Sequence, residues 1–196
     1  MTPNDTSNQR GGVPVAPCLR FALAMLHNGC MSIATAGIRL ASLDEALVIA
    51  HLSRDTIEAG LPWRWQPSDI ERFMHSPRHN VIVAEETALD PSQPGVRDGK
   101  LMSGFAVMGY GDNDAYLALL SVKPEARRRG VARSMVTWML KCADVAGIKR
   151  VDVELRADNM PARGLYQTAG FREISRKPGG YYGTVTQLRM RLMLRK

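Results

Sequence analysis

The sequence predicts a mixed α/β sheet in one domain. Three observations carry this. Strand and helix patterns follow the order strand, two helices, three strands, helix, strand, helix, two strands. The 196 residues are 45% hydrophobic, enough to bury a core in one domain with a tail. No internal repeat divides the chain.

The elements follow in chain order. Residues 1–34 form an N-terminal extension, disordered or partly helical. Its first seventeen residues are rich in Pro, Gly, Asn, Ser and Thr. Its apolar run LRFALAML is interrupted by Arg20 and lacks a preceding basic cluster, so it is not read as a signal peptide. The domain proper is placed at 35–196. Ile38 to Ala41 is a short strand. Ser42-Leu43-Asp44-Glu45 has the Ser-x-x-Glu form of a capping box, and it opens a helix from about Ser42 to Leu52. A second helix follows Pro67, with Ile70, Phe73 and Met74 inward. Trp63 and Trp65 lie between them. They are read as covers for the core, with lining of an acceptor pocket as the alternative.

NVIVAEE from Asn80 and LMSGFAVMGY from Leu101 are strands, separated by a turn-rich connection. GDND closes a hairpin into Ala115 to Val122, whose nearly continuous apolar character predicts burial on both faces. Val131, Ala132, Met135, Val136, Met139, Leu140 and Ala143 form a helical stripe, stopped at Gly147. Val151, Val153 and Leu155 alternate with Asp152, Glu154 and Arg156, which is a strand. Asn159 and Pro161 open a short helix ending at Gly170. Phe171 to Ser175 and QLRMRLML from Gln187 are the last strands. Between them Pro178, Gly179 and Gly180 predict a mobile loop carrying Tyr181 and Tyr182.

Composition excludes some functions. No run of about 18 apolar residues exists, so no membrane partner is expected. The net charge of +7 fits an anionic ligand, although Arg189, Arg191, Arg195 and Lys196 crowd the last eight positions. Cys18, Cys30 and Cys142 show no ligand spacing, and neither do the four histidines. No metal is expected, and the cysteines suit a reducing cytoplasm. A homodimer is left open.

The chemistry concentrates in EARRRGVARSMV, Glu125 to Val136. It joins a buried strand to a helix. The first turn of a helix has free N–H groups and a positive dipole end, which attract phosphate. Gly130 removes the side chain that would keep backbone from ligand, and Ala132 keeps the next point small. Arg127-x-x-Gly130-x-Ala132 is therefore a pyrophosphate-binding arrangement. It is neither a Walker A loop nor a dinucleotide fingerprint. Nucleic acid is disfavoured, since aromatics are not interleaved with the basic residues.

LLSVKPEARRRGVARSMVTWML resembles the acyl-CoA-binding motif of the GNAT superfamily of N-acetyltransferases, whose usual form is (Gln/Arg)-x-x-Gly-x-(Gly/Ala). VELRADNMPARGLYQTAGF resembles the strand and helix that follow it, most of all in the ribosomal-protein N-terminal-alanine acetyltransferase branch. The resemblance implies a mixed, mostly antiparallel sheet, splayed in the middle, with helices on both faces. It implies acetyl-CoA as co-substrate and an amine acceptor, either a small molecule or a protein N-terminus. Leu120, Ser121 and Val122 would meet the pantetheine arm. Arg127, Arg128, Arg129, Gly130, Val131, Ala132, Arg133 and Ser134 would hold the pyrophosphate, mainly through backbone N–H groups. Asn159 would touch the CoA arm or simply cap its helix. Tyr166 would protonate the leaving thiolate, and Glu154 would accept the amine proton. The alternative is a non-catalytic acyl-CoA-binding regulator of the same fold, which needs neither Glu154 nor Tyr166.

Overall fold

A computed structural model describes residues 37–90, 92, 96–181 and 183–194. The N-terminal extension and Tyr182 lie outside the described residues. The strands are β1 (Gly37–Leu40), β2 (His79–Thr87), β3 (Val96–Arg97), β4 (Lys100–Tyr110), β5 (Asp114–Val122), β6 (Arg150–Arg156), β7 (Arg172–Tyr181) and β8 (Val185–Met193). The helices are α1 (Ala46–Thr56), α2 (Pro67–His75), α3 (Val131–Val145) and α4 (Met160–Thr168). The sheet order is β1-β2-β4-β5-β6-β8-β7, with β3 added against β4. Among the described residues, β5–β6 is the parallel pair and the other pairings are antiparallel.

Helices cover both faces, and each face has its own core. Ile49, Ala50 and Leu52 of α1 and Ile70 of α2 pack with Val81, Val83, Phe105 and Val107. Met135, Val136 and Met139 of α3 and Tyr166 of α4 pack with Ile82, Ala106, Met108, Val151 and Val153 on the other face. Alternation along each strand divides the apolar residues between the two faces. Complete burial of a side chain such as Met135 or Met139 contributes about 1.5–3 kcal/mol. Phe73, Met74, Trp63 and Trp65 pack partly buried against the α1/α2 core, so the two tryptophans cover it.

Local signals act as the sequence predicts. Glu45 accepts from the Ser42 backbone N–H at 2.8 Å and from its hydroxyl at 2.9 Å. The capped segment begins as a 3-10 turn, Leu43–Glu45, before becoming α1. Two expectations change. β5 is not evenly buried, since Tyr116 is exposed while Ala115 and Leu117 are buried. Its apolar run is continuous because a bulge switches faces. Val107 pairs with Leu119 but Met108 pairs with Leu117, so Ala118 is the extra residue. Before it Ala115 and Leu117 face α3; after it Leu119 faces α1. Pro178 to Gly180 belong to β7 rather than to a loop, at a register irregularity against β8.

Candidate active site

The bulge sits where β5 leaves its neighbour. β5 and β6 pair from Asp114↔Arg150 to Leu117↔Val153 and no further. β6 stays with β8 through Arg156↔Gln187, while β5 stays with β4 through Val122↔Gly104. A gap therefore opens between Leu119–Val122 and Glu154–Arg156.

The ladder fixes what β5 presents to the gap. Lys123 N–H donates to Ser103 C=O at 2.9 Å, so residue 122 sits in a non-hydrogen-bonded pair with Gly104. Alternation then turns the N–H and C=O of Leu120 and Val122 away from β4, and those of Ser121 toward it. Arg127 Nε donates to Val122 C=O at 3.2 Å. Ser121 is buried, and its hydroxyl lies 2.6 Å from that of Thr56, which ties the last turn of α1 to β5. Gly104 allows the close strand contact there. A Cβ on it would come within 2.6 Å of Ser121 C=O.

Beyond Val122 a 3-10 turn, Pro124–Ala126, leads into the arginine run. Arg128 has φ +63° and Gly130 has φ +85°. Gly130 is the N-cap of α3, and a Cβ there would meet nothing within 4 Å. The first N–H of the helix to find a backbone acceptor is that of Ser134, bonded to Gly130 C=O at 3.0 Å. Val131, Ala132 and Arg133 precede it in the turn whose N–H groups lack intrahelical partners. These residues fit an anionic ligand, with open space over Gly130 and donors aimed along the helix axis. Arg129 instead reaches back to Glu86 on β2, at 2.8 Å.

Glu154 is the first β6 residue past the paired segment. It lies on the α1/α2 face, since Val153 and Leu155 belong to the opposite core. Tyr116 Oη donates to Glu154 Oε2 at 3.2 Å, Gln187 Nε2 donates to the same oxygen, and Arg189 Nε lies 3.9 Å from Oε1. Tyr166 is buried on the α3/α4 face, in the core that includes Val122 and Leu155, with its ring edge-on to Phe171 at 5.5 Å. Glu154 and Tyr166 thus belong to opposite faces of the split sheet. Asn159 caps α4, its Oδ1 accepting from Ala162 N–H at 3.1 Å. Tyr116 and Gln187 around Glu154 were missed by sequence reading. They are remote in sequence, and only the register of β5, β6 and β8 brings them together.

Residues 51–171 match the Acetyltransferase (GNAT) family. The [Ribosomal protein bS18]-alanine N-acetyltransferase of Salmonella typhimurium is 30% identical over 83 residues, 42% of this chain and 55% of that protein. GCN5-related N-acetyltransferase 6, chloroplastic, of Arabidopsis thaliana is 37% identical over 57 residues, 29% of this chain and 20% of that protein. The matches thus span little more than half of these relatives at most. The crystal structure of Arabidopsis thaliana NAA60 in complex with acetyl-CoA superposes with a TM-score of 0.68, at 18% identity, over 82% of this chain and 99% of that one. The splayed sheet, the loop into α3 and the family match over more than half of the sequence agree: this chain belongs to the Acetyltransferase (GNAT) family.

Proposed function

We propose that this chain is an acetyl-CoA-dependent N-acetyltransferase that moves an acetyl group to a primary amine by direct attack. The observation that carries the reading is the gap beyond Leu117↔Val153, into which β5 turns the backbone of Leu120. An extended pantetheine arm can add to such an edge as a strand would. The Leu120 N–H can receive the oxygen that becomes negative as the amine adds to the thioester carbon. One such donor lowers the barrier by about 3 kcal/mol. The N–H groups of Val131, Ala132 and Arg133 suit the pyrophosphate, with the Ser134 hydroxyl beside them, Arg127 to Gly130 shaping the approach and Asn159 fixing the start of α4.

Glu154 is proposed as the proton acceptor for the amine, directly or through water. Tyr166, on the opposite face, is proposed to protonate the departing thiolate. A phenol of pKa ~10 can serve a thiol of pKa ~8.5. The acceptor is an amine. The Salmonella typhimurium relative is named for an alanine of ribosomal protein bS18. A cytoplasmic setting belongs to the same proposal. No helix among the described residues is long and apolar enough to cross a membrane.

Calorimetric titration with acetyl-CoA tests the reading, and absence of binding at millimolar ligand would sink it. Tyr166→Phe is expected to leave that affinity within about twofold and to lower turnover roughly 100-fold. Undiminished turnover removes Tyr166 from the mechanism.

A further inference from the structure

On the α1/α2 face a row of residues crosses four strands. His79, Gly109, Tyr116 and Asp152 are successive register partners from β2 to β6. A trough of about 300 Å³ follows this row, with Arg78 on the β2 side and Arg189 on the β8 side. Three inter-strand spacings separate Asp152 from His79, about 14 Å. Gly109 keeps the floor low, since a Cβ there would lie 3.1 Å from His79 Nε2.

The two ends differ in charge. The β8 end adjoins Glu154 through Tyr116 and Arg189, and the gap opens one pair further on, past Leu117↔Val153. The β2 end is basic. The acid near Arg78 is Asp112, at 3.9 Å, and both side chains are well exposed. Water screens such a pair and leaves it weak. Arg72 of α2, itself held by Asp69 at 2.7 Å, brings a second positive charge to bear on His79. Between the ends the acids are already answered. Asp152 takes Arg191 at 2.6 Å and Arg189 at 2.7 Å, and Asp114 takes Arg150 at 3.0 Å. A polycation lying in the trough would find the buried carboxylate, Asp152, occupied.

Building on the acetyltransferase reading, we propose that this trough is the acceptor subsite. It takes an elongated amine carrying an anionic group about 17 Å from the reacting nitrogen, three strand spacings across the sheet and three residues along it. The nitrogen sits beside Glu154 and the anion beside Arg78. Five residues of extended peptide span that distance, at about 3.3 Å each.

The peptide amides Ala-Gly-Gly-Gly-Glu and Ala-Gly-Gly-Gly-Arg are the probes, with acetyl-CoA-dependent thiol release as the readout. The Glu peptide is expected to exceed the Arg peptide in kcat/KM by at least about fivefold, a difference that shrinks with salt. Arg78 is 66% exposed, so Arg78→Glu keeps the fold and should invert the preference while the acetyl-CoA affinity stays constant. Equal rates, preference for the Arg peptide, or a ratio unmoved by Arg78→Glu overturns the proposal. So does failure to acetylate either peptide by protein that binds acetyl-CoA. Failure to bind acetyl-CoA instead removes the reading on which the proposal stands.

Discussion

Arg127, Arg128 and Arg129 look alike in sequence and differ in the fold. Arg127 braces the loop on the Val122 carbonyl, and Arg129 braces it on Glu86, forty-three positions away. Arg128 occupies left-handed backbone at φ +63°, and Gly130 follows at φ +85°. That conformation costs a β-branched residue about 1–2 kcal/mol. A valine there would also project its side chain into the open space over the helix start. Gly130→Val is therefore expected to abolish CoA binding in calorimetry. Arg128→Ala should weaken it by less than about tenfold, with circular dichroism confirming that both variants fold. The reverse order would restore the arginine run as a plain charge patch. The place of Gly130 was legible from the strand, loop and helix around it. The two braces were not, because their acceptors lie on other strands.

Among elements, β5 carries the most consequence. Its apolar run reads as a strand buried on both faces, and the strand exists as expected. The bulge at Ala118 is invisible in the sequence, because a bulge is a relation between two strands. It bends β5 just as pairing with β6 ends, and it puts Leu119 and Leu117 on different faces. β7 escaped for a related reason. Pro and Gly mark a turn locally, yet pairing with β8 carries Pro178 to Gly180 into the strand. The far end of β5 is held by β4 at Gly104, opposite Val122. An added methyl there meets the Ser121 carbonyl at 2.6 Å and Met135 Cε at 3.1 Å. The side chain can yield, but the backbone cannot without moving the strand. Gly104→Ala is expected to cost about 1–3 kcal/mol in urea unfolding. It should weaken CoA binding as well, since the displaced strand leads into the loop. Unchanged stability would show that β4 and β5 are free to separate at this point.

For the whole molecule, composition gives the charge and the fold decides where it acts. The chain carries +7, yet its buried acids already have partners: Asp152 takes Arg189 and Arg191 across the sheet, and Glu58 accepts from the backbone N–H groups of Arg64 and Trp65. Arg191 first, and then Arg189, hold the Asp152 carboxyl below its ordinary range, against the opposing push of burial. Burial pushes Glu45 up, but Arg39 and Ser42 outweigh it and leave that carboxyl lowered too. A depressed folded pKa means that the unfolded chain binds protons more readily. The stabilisation is thus present above the unfolded values near 4, and it is lost as pH falls through the lower folded values. Protonation also removes negative charge from an already positive chain, adding repulsion. Unfolding free energy should therefore change little on this account between pH 7 and about 5, then fall steeply below about 4. Asp152→Asn isolates one contributor. It leaves Arg189 and Arg191 without their shared carboxylate at neutral pH, and it resembles the protonated wild type in acid. Urea unfolding at pH 7 and at pH 3 should show the variant well below wild type at the first and much closer at the second. A deficit that is the same at both values would mean that Asp152 acts through packing rather than through its charge.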